Sequence, residues 1–192
     1  GVFWLLCAGG FLTNAVGTAL LLNHFSIMRT AGVAHVDALT LLALAGGVQA
    51  VATLGTGWLV DRHEPRRLVP LAMGLLAFAS ALPAFGGGVA VSWLYALSLG
   101  AAYGSQQAIN AAGYAQYFGR DHLGAIRGAS FVFGVAGAAL GPLPFAASID
   151  WTESYAAVLT VSCGLSLLCG AAAFVVRCPP LPVIGPPVAE RP

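Results

Sequence analysis

The chain has 192 residues, 58% of them hydrophobic and only 8% charged, and its mean hydropathy is +0.84. Soluble domains carry about 25% charged residues, so this composition excludes an ordinary water-soluble globule and also a disordered chain. A net charge of +1 leaves no basic surface to hold phosphates, which excludes nucleic acid as a partner and points to a lipid bilayer as the solvent.

A helix that crosses a bilayer needs about 20 mostly apolar residues. In chain order, apolar runs cover residues 2–28, 38–60, 68–85, 89–117, 128–148 and 155–176. Short polar stretches at 29–37, 61–67, 86–88, 118–127 and 149–154 separate them. Backbone polar groups in lipid must be satisfied within a helix or a closed barrel. Barrel strands alternate apolar and polar residues and these runs do not, so the sequence predicts six transmembrane helices over residues 1–177. The stretch 178–192 holds six of the eleven prolines and is expected to be a disordered cytoplasmic tail. The chain lacks an initiator Met and a signal-peptide pattern at its start, so it reads as a piece of something longer.

All eight basic residues are arginines. In a six-helix count Arg62, Arg66, Arg67, Arg120, Arg127, Arg177 and Arg191 fall on one side and Arg29 alone on the other, which places both termini in the cytoplasm by the positive-inside rule. Trp4, Trp58, Trp93 and Trp151 fall at segment ends, where amphipathic rings prefer to sit. Of the four cysteines, Cys7, Cys163, Cys169 and Cys178, the first three fall inside apolar runs and match no metal or redox spacing; they read as small packing residues. Gly100/Gly104, Gly124/Gly128 and Gly137/Gly141 are small-xxx-small pairs that permit close helix approach. The fifth segment, with Gly134, Gly137, Gly141 and Pro142, is expected to pack tightly or to bend as a gate.

Polar side chains deep in a membrane are costly and are candidates for function. Asn14 falls near the middle of the first segment and Gln49 near the middle of the second. In the fourth, Tyr103, Gln106, Gln107 and Asn110 recur at i, i+3, i+4 and i+7, on one helical face; Tyr114 belongs by position to the interfacial belt. No Asp, Glu, Lys or Arg lies in the middle of any segment. His24 lies near the outer end of the first; its ordinary titration range suits proton coupling, though beside Arg29 it reads as a surface histidine.

The turn Gly57-Trp58-Leu59-Val60-Asp61-Arg62-His63-Glu64-Pro65-Arg66-Arg67 is a short charged elbow. Asp61 stands at a helix C-terminus, where the dipole disfavours an anion, and so needs a neighbouring arginine or the N-terminus of another helix. The spacing of Gly57, Leu59, Asp61, Arg62, Arg66 and Arg67 resembles the signature loop of the major facilitator superfamily. Glu64 stands where that family usually has glycine and Pro65 where it often has a basic residue, departures that suggest the more degenerate copy in the C-terminal half. The stretch from Tyr117 to Gly128 is similar to the corresponding loop of monocarboxylate-type members. Ala50, Ala52, Leu54 and Gly55 are echoed by Ala136, Ala138, Leu140 and Gly141, as inverted three-helix repeats would be.

The resemblance implies an all-α membrane protein: the six-helix C-terminal half of a twelve-helix fold that moves a small polar or anionic solute by alternating access, with no cofactor and no enzymatic activity. It implies that Asn14, Gln49, Tyr103, Gln106, Gln107 and Asn110 line the solute cavity. It also implies that Gly57, Asp61, Arg62, Arg66 and Arg67 form a conformational-switch loop whose Asp61 meets a helix terminus of a missing N-terminal half or of a second copy. The absence of lysine suggests a bacterial inner membrane. The alternative is a non-transporting six-helix subunit or degenerate half-carrier. A rhomboid-type protease is excluded because Ser130, in Gly128-Ala129-Ser130-Phe131, is followed by no glycine and no later histidine; an aquaporin is excluded because Asn110-Ala111-Ala112 lacks the proline.

Overall fold

The computed structural model describes residues 1–30, 32–85, 88–119 and 122–176, so the Pro-rich stretch 178–192 lies outside the described residues. Among these residues eight helices follow in order: α1 Val2–Leu22, α2 His24–Thr30, α3 His35–Val60, α4 Pro65–Phe85, α5 Val89–Phe118, α6 Leu123–Leu140, α7 Pro142–Thr152 and α8 Ala156–Val175. Among the described residues there is no strand. Five helical stretches among the described residues are long and apolar enough to cross a membrane: Val2–Leu22, Asp37–Val60, Pro65–Ala84, Leu123–Thr152 and Ala156–Val175. The remaining long helix, α5, has 30 residues and is not among the five. Its glutamines, asparagine and tyrosines dilute its apolar character.

Two apolar runs break into helix pairs, each for a local reason. After α1 the Asn23 carboxamide shares the Ala19 carbonyl with its own backbone N–H, at 2.9 and 3.0 Å; the break falls at this residue, and α2 starts one residue later. At Gly141-Pro142 the proline has no N–H to give, so α6 ends and α7 restarts with the proline in its first turn. Several other boundaries shift outward from the apolar runs, while α8 is one residue shorter than its run at each end. Charged or polar first turns are helical too, and α4 begins at Pro65, where a fixed φ and missing donor suit a helix start.

The bundle has two ends. One gathers the starts of α1, α4 and α6 with the finishes of α3, α5 and α8. There the Arg66 guanidinium donates to the Val176 carbonyl and its backbone N–H to the Tyr117 hydroxyl at 3.3 Å, tying α4 to α8 and α5. At the other end Tyr155 donates to Asn23 Oδ1 at 3.0 Å, and His24 bonds the Ala38 carbonyl at 2.9 Å. Removing the Arg66 fork leaves a helix-end carbonyl unpaired, so Arg66→Gln should cost about 1–2 kcal/mol, read as a lower unfolding midpoint of the detergent-solubilised protein.

Helix α1 is central, with 61% of its span buried, whereas the spans of α3 and α6–α7 are 11% buried. The core gathers Leu6, Leu20, Met28, Leu41, Met73, Leu76, Tyr95, Ile109 and Leu159. Large apolar side chains also cover the outside, among them Leu54, Phe131, Leu168, Phe174 and Val175. A water-soluble monomer rarely presents that much contiguous apolar surface; a protein solvated by lipid does. Trp4, Trp58, Trp93 and Trp151 are all exposed.

Glycine sets how closely the helices meet. A Cβ on Gly100 or Gly104 of α5 would run into the Ala45 or Gln49 carbonyl of α3, and one on Gly137 or Gly141 of α6 into the Phe11 or Ala15 carbonyl of α1. These two small-xxx-small pairs are backbone contacts between helices. The third is not: Gly124 and Gly128 have nothing within 4 Å.

Candidate functional site

In the half of the bundle nearest the arginine-rich end, a cleft of about 320 Å³ opens between helices. α1 contributes Leu6, Cys7, Gly10 and Asn14; α3 Thr53; α5 Gln107, Ala108, Asn110, Ala111 and Tyr114; and α6 Arg127, Ser130, Phe131 and Gly134. That volume lies at the small end of the range for small-molecule sites. The lining offers three carboxamides, three hydroxyls, a thiol and one guanidinium, and no carboxylate.

The α1 backbone makes room for the polar face of α5. A Cβ on Gly10 would stand 3.0 Å from Asn110 Nδ2, one on Gly9 2.9 Å from Gln106 Nε2, and one on Gly17 would overlap the Tyr103 ring. The predicted stripe therefore divides by depth. Gln107 is exposed to the cleft and Asn110 half-buried at its wall. Gln106, 2% exposed, lies behind the wall and donates to Asn110 Oδ1 at 3.0 Å. Tyr103 sits higher against α1, its hydroxyl beside that of Thr18. Asn14 lines the cleft, donates to Gly10 O at 2.8 Å within its own helix, and faces Gly134, where a Cβ would stand 3.3 Å away.

Gln49 is half-buried and is not part of the lining. Its carbonyl accepts the Thr53 hydroxyl at 2.8 Å, and Thr53, one turn on, is the residue of α3 that reaches the cleft. Tyr114 is not a belt residue: it is 2% exposed, and its hydroxyl meets Cys7 Sγ at 3.6 Å. Cys7 is thus a polar contact of the cleft wall as well as a packing residue. Cys163 and Cys169 carry free thiols, and Cys178 lies outside the described residues.

Arg127 is the cleft residue the sequence reading passed over. Counted among the cytoplasmic loop arginines, it stands instead in the second turn of α6, exposed on the cleft lining. Arg127, Ser130 and Gly134 recur at i, i+3 and i+7, the helical periodicity that identifies the face. Among the described residues no carboxylate pairs with it.

In the α3–α4 turn, Asp61 caps α3 with its backbone N–H on Gly57 O at 3.2 Å, and the residue is exposed. The expected arginine partner is absent among the described residues. Arg62 lies over the Trp58 ring, 3.9 Å from its centroid. Arg67 pairs with Glu64 at 3.2 Å, and Arg66 holds Val176 with Glu64 3.9 Å away. Exposed substitutions without partners change stability by less than about 0.5 kcal/mol, so Asp61→Asn should leave the unfolding midpoint unchanged. A fall of several degrees would reveal an intrachain partner. Gly57 has nothing within 4 Å, like Gly46, Gly47 and Gly55 on the same helix.

Of the predicted hinge residues, Gly134, Gly137 and Gly141 all press on α1, and Pro142 marks the α6–α7 break. His24, expected at the surface, is instead 1% exposed. Among the described residues no three His, Cys, Asp or Glu side chains gather to hold a metal. No family model matches the sequence, nor does any curated protein. The class these observations define is an all-helical protein with five helices suited to a membrane and a polar cleft between α1, α3, α5 and α6.

Proposed function

We propose that the chain is one six-helix half of a secondary transporter of the major facilitator type, moving a small polar or anionic solute by alternating access. The observation that carries this reading is the cleft. In a chain so poor in polar residues, Asn14, Thr53, Gln107, Asn110, Ser130 and Arg127 converge on one opening between helices; inside a bilayer such groups would be costly unless they served a function or a partner. Four helices supply the lining, the first, second, fourth and fifth of six crossings if α5 also spans, as the resemblance implies for a carrier half.

Two further features support it. The helices that flank the cleft, α3 and α6, turn glycines outward with nothing against them: Gly46, Gly47, Gly55, Gly124 and Gly128. Small residues favour close helix approach in lipid, so these faces suit a second six-helix half. Asp61 needs a partner and finds none among the described residues; a helix N-terminus across that junction would satisfy it. The arginine-rich end, where the cleft lies, is then the cytoplasmic end of a protein in the bacterial inner membrane.

Reconstitution in liposomes tests the reading. Counterflow of a radiolabelled small carboxylate, amide or polyol, screened as a panel, is the expected result, and Asp61→Asn should slow it about tenfold or more while leaving the folded protein intact. A stable protein that moves none of the panel, at a native polypeptide mass of this length, would favour the non-transporting subunit instead.

A further inference from the structure

Two opposite charges at the arginine-rich end form no ion pair among the described residues: Asp61, which ends α3, and Arg127, in the second turn of α6. Both are exposed, and their helices stand on opposite sides of the cleft. The other described arginines of that end are engaged: Arg62 lies over Trp58, Arg66 holds the Val176 carbonyl and Arg67 pairs with Glu64.

The edges of the two helices beside the cleft differ in shape as well as in charge. On α3, Gly57 lies one turn inward of Asp61 on the same face, and a Cβ there would meet nothing within 4 Å. The same face continues through exposed Ala50 to Gly46. On α6, Phe131 lies one turn inward of Arg127; it is 72% exposed, at the rim of the cleft. So α3 presents a carboxylate followed by a gap, and α6 a guanidinium followed by a knob. The depths match, because Thr53 and Gly134 line the same cleft, and from them Asp61 and Arg127 lie roughly 12 and roughly 10 Å toward the same end. Helix α3 runs toward the arginine-rich end and α6 away from it. In two copies of the same orientation, α3 of one and α6 of the other are therefore antiparallel, and the two patterns run inward in step.

We propose that two copies of this chain pair cleft to cleft about a two-fold axis along the bilayer normal. Asp61 of each copy meets Arg127 of the other, and Phe131 of each fills the gap at Gly57 of the other. Such an interface is self-complementary, and the α3–α6 contact forms twice. Lipid gives no hydrophobic drive between helices, so close dispersion contact and the charge pair hold it together. A lipid chain would fill the gap at Gly57 but leave Asp61 unpaired, and an anionic headgroup at Arg127 would repel that carboxylate. The second copy also covers the open side of the cleft. That the joined clefts form a solute path rests on the transporter reading, in which an anionic solute competes with Asp61 of the second copy for Arg127; the pairing itself does not.

Single-molecule photobleaching of the labelled full chain in liposomes, over a series of protein-to-lipid ratios, tests the pairing. The expected result is a dimer that separates into monomers on dilution. Asp61→Arg and Arg127→Asp should each weaken it at least about tenfold, since each sets like charges against each other. The doubly exchanged chain restores opposite charges and should return to within about threefold of the parent. Solubilised monomers lack the contact, so their unchanged unfolding midpoint shows that each variant is folded. A chain monomeric at every ratio, a dimer indifferent to the single exchanges, or a double exchange as weak as either single one overturns the proposal and leaves these faces to lipid or to a different six-helix half. Oxidative cross-linking tests the register. With the four cysteines changed to serine, Gly57→Cys and Phe131→Cys copies should cross-link when mixed and not when separate; equal cross-linking of either alone would overturn the α3–α6 contact. A charge-dependent dimer that moves no solute would keep the pairing and sink the transporter, and counterflow by a lasting monomer would do the reverse.

Discussion

Gly104→Leu and Gly141→Leu should each lower the unfolding midpoint of the solubilised protein by roughly 5–10 °C and reduce the folded yield, corresponding to about 3 kcal/mol of overpacking. A side chain at Gly104 would enter the space of the Gln49 carbonyl and the Thr53 backbone of α3; at Gly141 it would enter that of the Ala15 carbonyl of α1. These neighbours are backbone, so relief requires that whole helices move apart. Lipid offers no hydrophobic drive to hold helices together, and dispersion contact and hydrogen bonds must do so. Separated helices lose that contact along the whole seam. Gly128→Leu and Gly55→Leu are the matched controls, since both glycines face open space, and both should leave the midpoint of the isolated chain unchanged. If Gly141→Leu melts like Gly128→Leu, the α1–α6 contact is not as close as described. If Gly128→Leu leaves the midpoint alone but impairs function, its open face is a docking face.

The glycines also show what a sequence conveys and what it does not. Gly100/Gly104, Gly124/Gly128 and Gly137/Gly141 carry the same spacing, yet two pairs meet a helix and the third meets nothing. Spacing fixes which residues share a face; it does not fix what the face touches. Helices of spanning length were legible because long apolar runs are a strong signal; the count of six crossings was not, since five described stretches qualify and the polar residues of α5 keep it out. The breaks at Asn23 and Gly141-Pro142 fall at one carboxamide and one missing N–H, single-residue features that hydropathy averages away. Asn14, Gln107 and Asn110 were legible as cleft residues, since polar groups amid apolar runs stand out. Gln106 and Gln49 share that signature, but rotation of each helix about its axis decides between a wall and its lining. Arg127 and Tyr114 were assigned to loop and belt by their distance from the run centres. The helix that carries Arg127 starts at Leu123, and the first turns of a helix need not be apolar to line a cleft. His24 looked exposed because it lies near the outer end of an apolar run, close to Arg29; the packing of α2 on α3 buries it, and that contact leaves no mark in the pattern.

Gln107→Leu should reduce solute movement at least about tenfold with no change in stability, whereas Asn110→Leu should do both kinds of damage. Gln107 is exposed on the lining, and no hydrogen bond from the described residues ties it down, so leucine removes only a group that a solute would meet. A site that hydrogen-bonds its ligand loses about 1–3 kcal/mol per deleted partner, and more when a buried polar group is left unpaired. Asn110 has a second duty: its Oδ1 accepts Gln106 Nε2 at 3.0 Å. Leucine there strands a buried amide that already lacks a partner at Oε1, and the midpoint should fall by several degrees. Arg127→Gln separates charge from hydrogen bonding at the same lining. It should slow an anion about tenfold or more relative to a neutral solute of the same shape, because a guanidinium facing a low-dielectric cleft without a carboxylate attracts negative charge. Equal slowing of both solutes would make Arg127 a structural residue of the mouth. An unimpaired Gln107→Leu would mean that the solute passes elsewhere, and the cleft between α1, α3, α5 and α6 would then be a packing defect between halves and not a binding site.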